Sequence, residues 1–96
     1  MKFSEVKMED RGTKAFWGFG ASVEYGEYEL SIIKNEMSYG GNQGLYEIAV
    51  YMGDKQVELP GVTAEGDTVK GYLTEDDVDL IMYKMQLISG NGGVQK

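Results

Sequence analysis

Carboxylates are the most numerous side chains in this sequence that could do chemistry. The chain contains no histidine and no cysteine, so it lacks the commonest general base, the commonest metal ligand and the best nucleophile. Catalysis would depend on paired carboxylates, a tyrosine or a lysine such as Lys84, groups that normally act in a deep cleft. Because a 96-residue domain seldom encloses such a cleft, we predict that the protein is not an enzyme.

An acidic run precedes the C-terminal part of the chain. Glu75, Asp76, Asp77 and Asp79 lack the spaced glycine and the final glutamate of an EF-hand calcium loop. They lie at the start of a predicted helix, where carboxylates stabilise the positive end of the helix dipole. We therefore predict no metal site and no cofactor.

A glycine-rich segment, residues 37–44, connects two predicted strands. It has no Gly-Lys-Ser/Thr sequence and leads into a strand, so it is not a phosphate-binding loop. One interpretation is a flexible connection. The alternative is a recognition loop with exposed contact area and glycines that allow close backbone approach. Its predicted partner-binding residues are Met37, Tyr39, Gly40, Gly41 and Asn42.

Glutamates alternate with apolar residues along the predicted strands and should point away from the core. Glu24 would lie directly opposite Glu29, and like charges across a strand pair repel each other. This arrangement favours a cationic partner for the face. Its predicted partner-binding residues are Glu24, Glu29, Glu47, Glu58 and Tyr51. In a sharper hypothesis these carboxylates replace phosphates in the nucleic-acid site of a partner.

The net charge of −7 limits the classes of partner. Nucleic acids and anionic membranes both require a cationic surface, so we expect neither as a direct ligand. An acidic protein could instead occupy the basic site of a nucleic-acid-binding protein, or its charge could simply maintain solubility. The sequence shows neither a signal peptide nor a long apolar run, which predicts a cytoplasmic location.

Two hairpins would position these groups. Apolar residues alternate from Ala15 to Tyr25 and again from Tyr28 to Ile32, and Gly26-Glu27 between them suits a type II′ turn. The resulting cross-strand pairs are Tyr25–Tyr28, Val23–Leu30 and Ala21–Ile32. A second hairpin closing on residues 53–54 would give the pairs Val50–Val57 and Ile48–Leu59. Together they predict a four-stranded antiparallel meander.

A helix over about residues 75–89 completes the predicted α+β fold. Thr74 and Asp77 are spaced as in a capping box, and Gly90 provides the stop. The stripe that would cover one face of the sheet consists of Val78, Ile81, Met82, Met85 and Ile88. We expect one domain over residues 1–96, with a weakly structured segment at 1–14 and a flexible tail at 90–96.

A second apolar stripe of the helix consists of Leu80, Tyr83 and Leu87. The N-terminal residues Phe3, Val6 and Met8 could cover it. Alternatively, a second copy of the chain covers it, which would make the protein a structural homo-oligomer such as a homodimer.

Four segments carry a resemblance to a known group of proteins. Residues 28–33, 38–41, 44–50 and 71–74 read Tyr-Glu-Leu-Ser-Ile-Ile, Ser-Tyr-Gly-Gly, Gly-Leu-Tyr-Glu-Ile-Ala-Val and Gly-Tyr-Leu-Thr. In this combination, residues 28–88 resemble small accessory proteins encoded by bacteriophages. The resemblance implies expression in a bacterial cytoplasm and a role in binding, modulating or inhibiting a host protein. It brings no catalytic residues.

Overall fold

The protein consists of one antiparallel sheet with a single α-helix on one face. A computed structural model describes all of residues 1–96. The strands are β1 (Glu9–Asp10), β2 (Gly18–Tyr25), β3 (Tyr28–Asn35), β4 (Tyr46–Met52), β5 (Lys55–Gln56), β6 (Val69–Leu73) and β7 (Val94–Gln95). The helix, α1, spans Glu75–Ser89, and 3-10 helices span Phe3–Glu5 and Gly41–Gln43. The predicted α+β class is confirmed, but the sheet has seven strands instead of four. None of the helices has the length and apolar character that a membrane crossing needs.

The β2–β3 hairpin has the predicted turn and register. Gly26 adopts φ +61°, and all three predicted cross-strand pairs are present. Val23 and Leu30, for example, are completely buried beneath α1. The apolar alternation nevertheless extends beyond the core, because Trp17 and Phe19 are 37% and 38% exposed. The helix therefore covers only the part of β2 that lies towards the turn.

The β4–β5 hairpin has the predicted turn, but its second strand is much shorter than predicted. Val57 donates its N–H to the Val50 carbonyl at 2.9 Å. The predicted Ile48–Leu59 pair is wrong, since Ile48 pairs with Lys70 of β6. The Leu59 carbonyl instead accepts the N–H groups of residues 62 and 63, so the chain turns out of the sheet there. β6 takes the vacated position beside β4.

Both edges of the sheet are made of two short strands. β1 and β7 lie one after the other along β2, and β5 and β6 lie one after the other along β4. The longest of these four strands, β6, has five residues. Short edge strands offer little template for pairing with another chain.

The two terminal segments are more ordered than predicted. Phe3 is buried, and its ring meets the Tyr46 ring edge-on with centroids 5.1 Å apart. Residues 94 and 95 form β7 instead of a flexible tail, and the Gln95 side chain exchanges two hydrogen bonds with the Lys7 backbone. Strands of two residues are too short for any alternation to reveal them in a sequence.

The helix begins and ends where predicted. The Thr74 hydroxyl accepts the Asp77 N–H at 3.1 Å, and the Asp77 carboxylate accepts the Thr74 N–H at 2.9 Å. The bond from the Thr74 backbone lowers the pKa of Asp77. Gly90 ends the helix with φ +71°. Four of the five predicted core residues are buried, and the exception, Ile88, lies in the last turn and is exposed.

Candidate functional site

The predicted recognition loop is held by hydrogen bonds within the chain. The Asn35 side-chain oxygen accepts the N–H groups of Met37 and Ser38 at 2.8 and 2.7 Å. The Gly40 carbonyl accepts two further backbone N–H groups, at 3.0 and 2.9 Å. Met37 and Asn42 are exposed, whereas Gly40 and Gly41 are buried. The hydrogen bonds therefore fix the backbone of the loop, with Gly40 and Gly41 packed on its inner side and the Met37 and Asn42 side chains exposed.

Close contacts require glycine at one position in the loop and at one position in β6. A Cβ atom on Gly41 would lie 1.7 Å from the Asn35 carbonyl oxygen. A Cβ atom on Gly71 of β6 would lie 2.3 Å from the Tyr39 Cβ. The loop and β6 are thus in direct contact, and the Tyr39 carbonyl accepts the Tyr72 N–H at 3.1 Å.

Tyr72 is a strained residue that we did not identify from the sequence. It lies in a β-bulge, where Gly71 and Tyr72 together face the single residue Glu47 of β4. Its φ of +57° makes it the only non-glycine residue in the left-handed region. A bulky residue there costs about 1 to 3 kcal/mol. Gly71 was the available sequence signal, because a glycine inside a strand is typical of a bulge.

Tyr72 joins the loop to the exposed stripe of the helix. With Leu80 it lines a cavity of about 220 Å³ between β6 and α1. Leu80 and Tyr83 in turn line a groove of about 640 Å³ between α1 and the N-terminal segment. We call the resulting surface the apolar band; its residues are Met37, Tyr39, Tyr72, Leu80, Tyr83 and Leu87, each between 54% and 81% exposed. The sequence placed the loop and the helix stripe on separate surfaces.

The N-terminal segment does not cover the helix stripe. Phe3 belongs to the core, Val6 and Met8 are partly buried against that core, and the Phe3 N–H donates to the Asp79 carboxylate at 2.9 Å. This bond holds the segment beside Asp79, so it runs along the flank of the helix. Leu80, Tyr83 and Leu87 consequently remain exposed.

The four predicted partner-binding glutamates all interact within the chain. Lys96 Nζ lies 2.6 Å from a Glu29 oxygen and 3.6 Å from a Glu24 oxygen, so the like-charged pair already has a cation. Glu29 raises the pKa of Lys96 through a hydrogen bond and its negative charge. Glu47 accepts the Tyr39 N–H at 2.7 Å.

The fourth glutamate lies outside the sheet. β5 ends at Gln56, and Glu58 accepts the Gly66 N–H at 2.7 Å in the following loop. Tyr51 is half-buried on the outer face, which is the sheet face opposite α1, and lies across from Glu29. The outer face is thus not a row of free carboxylates.

A separate aromatic depression lies at the uncovered end of the sheet. It has a volume of about 260 Å³, and its apolar walls include Phe16, Trp17, Phe19 and Met37. Arg11 also lines it and lies across Gly20, where a Cβ atom would be 2.5 Å from its guanidinium. Through Met37 the depression adjoins the apolar band.

The interior contains one polar group without a partner, the hydroxyl of Tyr25. Burial, together with the negative charge of Asp79, raises the pKa of Tyr25 to about 12. The ring packs against Gly93, at which a Cβ atom would lie 2.7 Å from the Tyr25 Cε1. No group of three acidic side chains is arranged to hold a metal ion.

Comparison of the chain with models of protein families, with curated proteins and with solved structures finds no match. The function is therefore inferred from the geometry of these surfaces.

Proposed function

We propose that the protein is a non-enzymatic interaction module that binds another protein through the apolar band. The observation that carries the proposal is a set of six large side chains on the loop, β6 and α1, all more than half exposed. Tyr72 and Leu80 line one cavity of this surface, and Leu80 and Tyr83 line the next. Contiguous apolar surface of this kind marks interaction sites on proteins. Tyrosine and methionine are also enriched at interfaces.

The backbone strain at Tyr72 supports the same surface. A glycine at this position would remove the left-handed strain, so a tyrosine there carries a cost in folding free energy. Strained residues cluster at binding and switch sites, where the surrounding structure holds them in place. The Tyr72 side chain is exposed and lines the cavity that Leu80 also lines.

Charge favours a different protein over a second copy as the partner. Each chain carries a net charge of −7, and Asp76 and Asp79 line the same groove as Leu80 and Tyr83. Two copies meeting through this surface would bring like charges together. The resemblance to bacteriophage accessory proteins suggests a bacterial host protein, which the module would modulate or inhibit by occupying one of its surfaces.

The version in which glutamates replace phosphates gains no support from the geometry. Lys96 pairs with Glu29 and lies 3.6 Å from Glu24, and Glu47 holds the loop through the Tyr39 N–H. A phosphate mimic requires carboxylates that are free to meet the cations of the partner. The negative charge of the protein still favours a basic partner, but through another surface.

A pull-down from bacterial lysate with matched variants tests the proposal. Tyr83→Ala removes an exposed ring of the band, and Met52→Ala removes a comparably apolar side chain at the β4–β5 turn. We expect Tyr83→Ala to weaken capture of a stoichiometric partner by roughly tenfold, as for interface hot spots. Met52→Ala should leave capture unchanged.

Two results would overturn the proposal. One is a partner that both variants retain equally, which would place binding outside the band. The other is a dimer of the chain itself at micromolar concentration, measured by sedimentation and dissociated by Leu87→Asp, which would assign the band to self-association.

A further inference from the structure

The groove between α1 and the N-terminal segment has one apolar and one acidic wall. Leu80 and Tyr83 form the apolar wall, and Glu5, Asp76 and Asp79 contribute carboxylates. Lys2 is the only basic residue that lines it. At about 640 Å³, the groove has room for several side chains of a bound segment.

These carboxylates form no ion pairs, in contrast to Glu24 and Glu29 of the outer face. The only ion pairs of the chain are those that Lys96 forms with Glu24 and Glu29. Glu5 and Asp79 each accept one backbone N–H, from Lys2 and Phe3, through one of their two oxygens. Asp76 forms no ion pair, accepts no hydrogen bond and is exposed.

We infer that this groove binds a cationic amphipathic helix of the partner protein, with leucine-like residues on Leu80 and Tyr83 and lysines or arginines beside the carboxylates. An amphipathic helix laid into an apolar groove is a common mode of peptide recognition. Complementary charge on the rim fixes the orientation of the helix and speeds its association. The inference rests on the proposed function, because Leu80 and Tyr83 belong to the apolar band.

The probe is a labelled synthetic peptide of leucine and lysine at amphipathic helical spacing, compared with its leucine–glutamate counterpart. Binding is measured by fluorescence anisotropy at low and high salt, with circular dichroism melting of each protein variant. We expect the lysine peptide to bind and the glutamate peptide not to bind. Raising the salt concentration should weaken binding, because the rim charges are solvent-exposed.

Two pairs of variants separate the groove from the overall charge. Asp76→Lys and Asp54→Lys change the net charge equally, but Asp54 lies in the distant β4–β5 turn. We expect roughly tenfold weaker binding for Asp76→Lys and less than about threefold for Asp54→Lys. The milder pair Asp76→Asn and Asp54→Asn keeps the same order and serves if a reversed charge unfolds the helix start.

Equal weakening by the variants at residues 76 and 54 would overturn the inference, because attraction would then follow net charge alone. Peptide-induced amide shifts in NMR spectra that map to Trp17 instead of Leu80 would also overturn it. Loss of the lysate partner in Tyr83→Ala but not in Asp76→Lys would leave the proposed function intact and reject only the cationic helix. Partner capture that is insensitive to Tyr83→Ala would instead reject the proposed function itself.

Discussion

The outer face of the sheet and the apolar band differ in whether the chain itself satisfies their side chains. On the outer face, Lys96 lies between Glu24 and Glu29 and forms ion pairs with both. On the band, large apolar side chains remain exposed, and the backbone at Tyr72 is strained. Residue types alone favoured the glutamates as a binding site as much as the loop at residues 37–44. The comparison teaches that a candidate site is better recognised by groups that the fold leaves unsatisfied.

The largest expected effect is a difference in stability between two glycine-to-alanine variants, one beneath the loop and one on the outer face. Gly41 lies beneath the loop against the Asn35 backbone, whereas Gly20 lies on the outer face beneath the flexible end of Arg11. We expect Gly41→Ala to lower the free energy of unfolding by about 2 to 3 kcal/mol, because backbone has to move. Gly20→Ala should cost less than about 1 kcal/mol, because a side chain can rotate away. Urea unfolding measures both, and equal costs would contradict the close packing beneath the loop.

A second prediction separates strain from contact at Tyr72. Tyr72→Gly and Tyr72→Ala both remove the ring, so both should lose partner binding. Only glycine relieves the left-handed backbone, so Tyr72→Gly should be more stable than Tyr72→Ala by about 1 kcal/mol. Thermal unfolding compares them. An alanine variant as stable as the glycine variant would show that residue 72 is not strained.

The third prediction extends the comparison to the interior, where Tyr25 is the unsatisfied group. Removing a buried hydroxyl without a partner should stabilise the fold, so Tyr25→Phe should raise the free energy of unfolding by about 1 kcal/mol at neutral pH. Chemical denaturation of both proteins at pH 7 measures the change. A clear loss of stability would instead reveal a partner for the hydroxyl.

The pKa of Tyr25 adds a test at high pH. Because the folded pKa is about 12 and the ordinary value is 10.0, the unfolded chain loses this proton first as the pH rises. The free energy of unfolding is therefore unaffected by this group below pH 10.0 and falls as the pH rises from there to about 12. Tyr25→Phe should remove this part of the pH dependence, as unfolding measured across the interval would show.

The smallest expected effect concerns Lys96 on the outer face. Its raised pKa means that its interaction with Glu29 stabilises the fold below the ordinary lysine pKa of 10.5 and is lost as the pH rises through the raised value. Lys96→Met should remove this alkaline dependence without changing partner binding. A binding defect in Lys96→Met would show that the outer face participates after all.

The sequence predicted those elements whose signals are local. The Gly26-Glu27 turn, the register of β2 with β3 and the helix between Thr74 and Gly90 all follow from adjacent residues. It also predicted Met37 and Tyr39 as partner-binding residues of the loop, and both are exposed.

The remainder depends on contacts between distant parts of the chain. No local pattern shows that β6 replaces residues 57–59 beside β4, or that Lys96 reaches Glu29 across 67 positions. The bulge at Tyr72 exists only because β6 pairs with β4 and touches the loop. The position of Tyr72 between the loop and the helix stripe therefore could not be predicted. Five of the six residues of the band were named from the sequence, but as two separate features, a recognition loop and a possible oligomer contact.

The divided edges of the sheet affect how the protein tolerates its own exposed apolar surface. Fibril growth begins most readily on a long, straight, unpaired strand, and here each edge is interrupted between two short strands. The backbone groups of β6 are partly occupied as well, since Ala64 donates to the Val69 carbonyl and Tyr72 donates to Tyr39. The edges of the sheet are therefore a poor template for fibril growth, even though the apolar band is exposed.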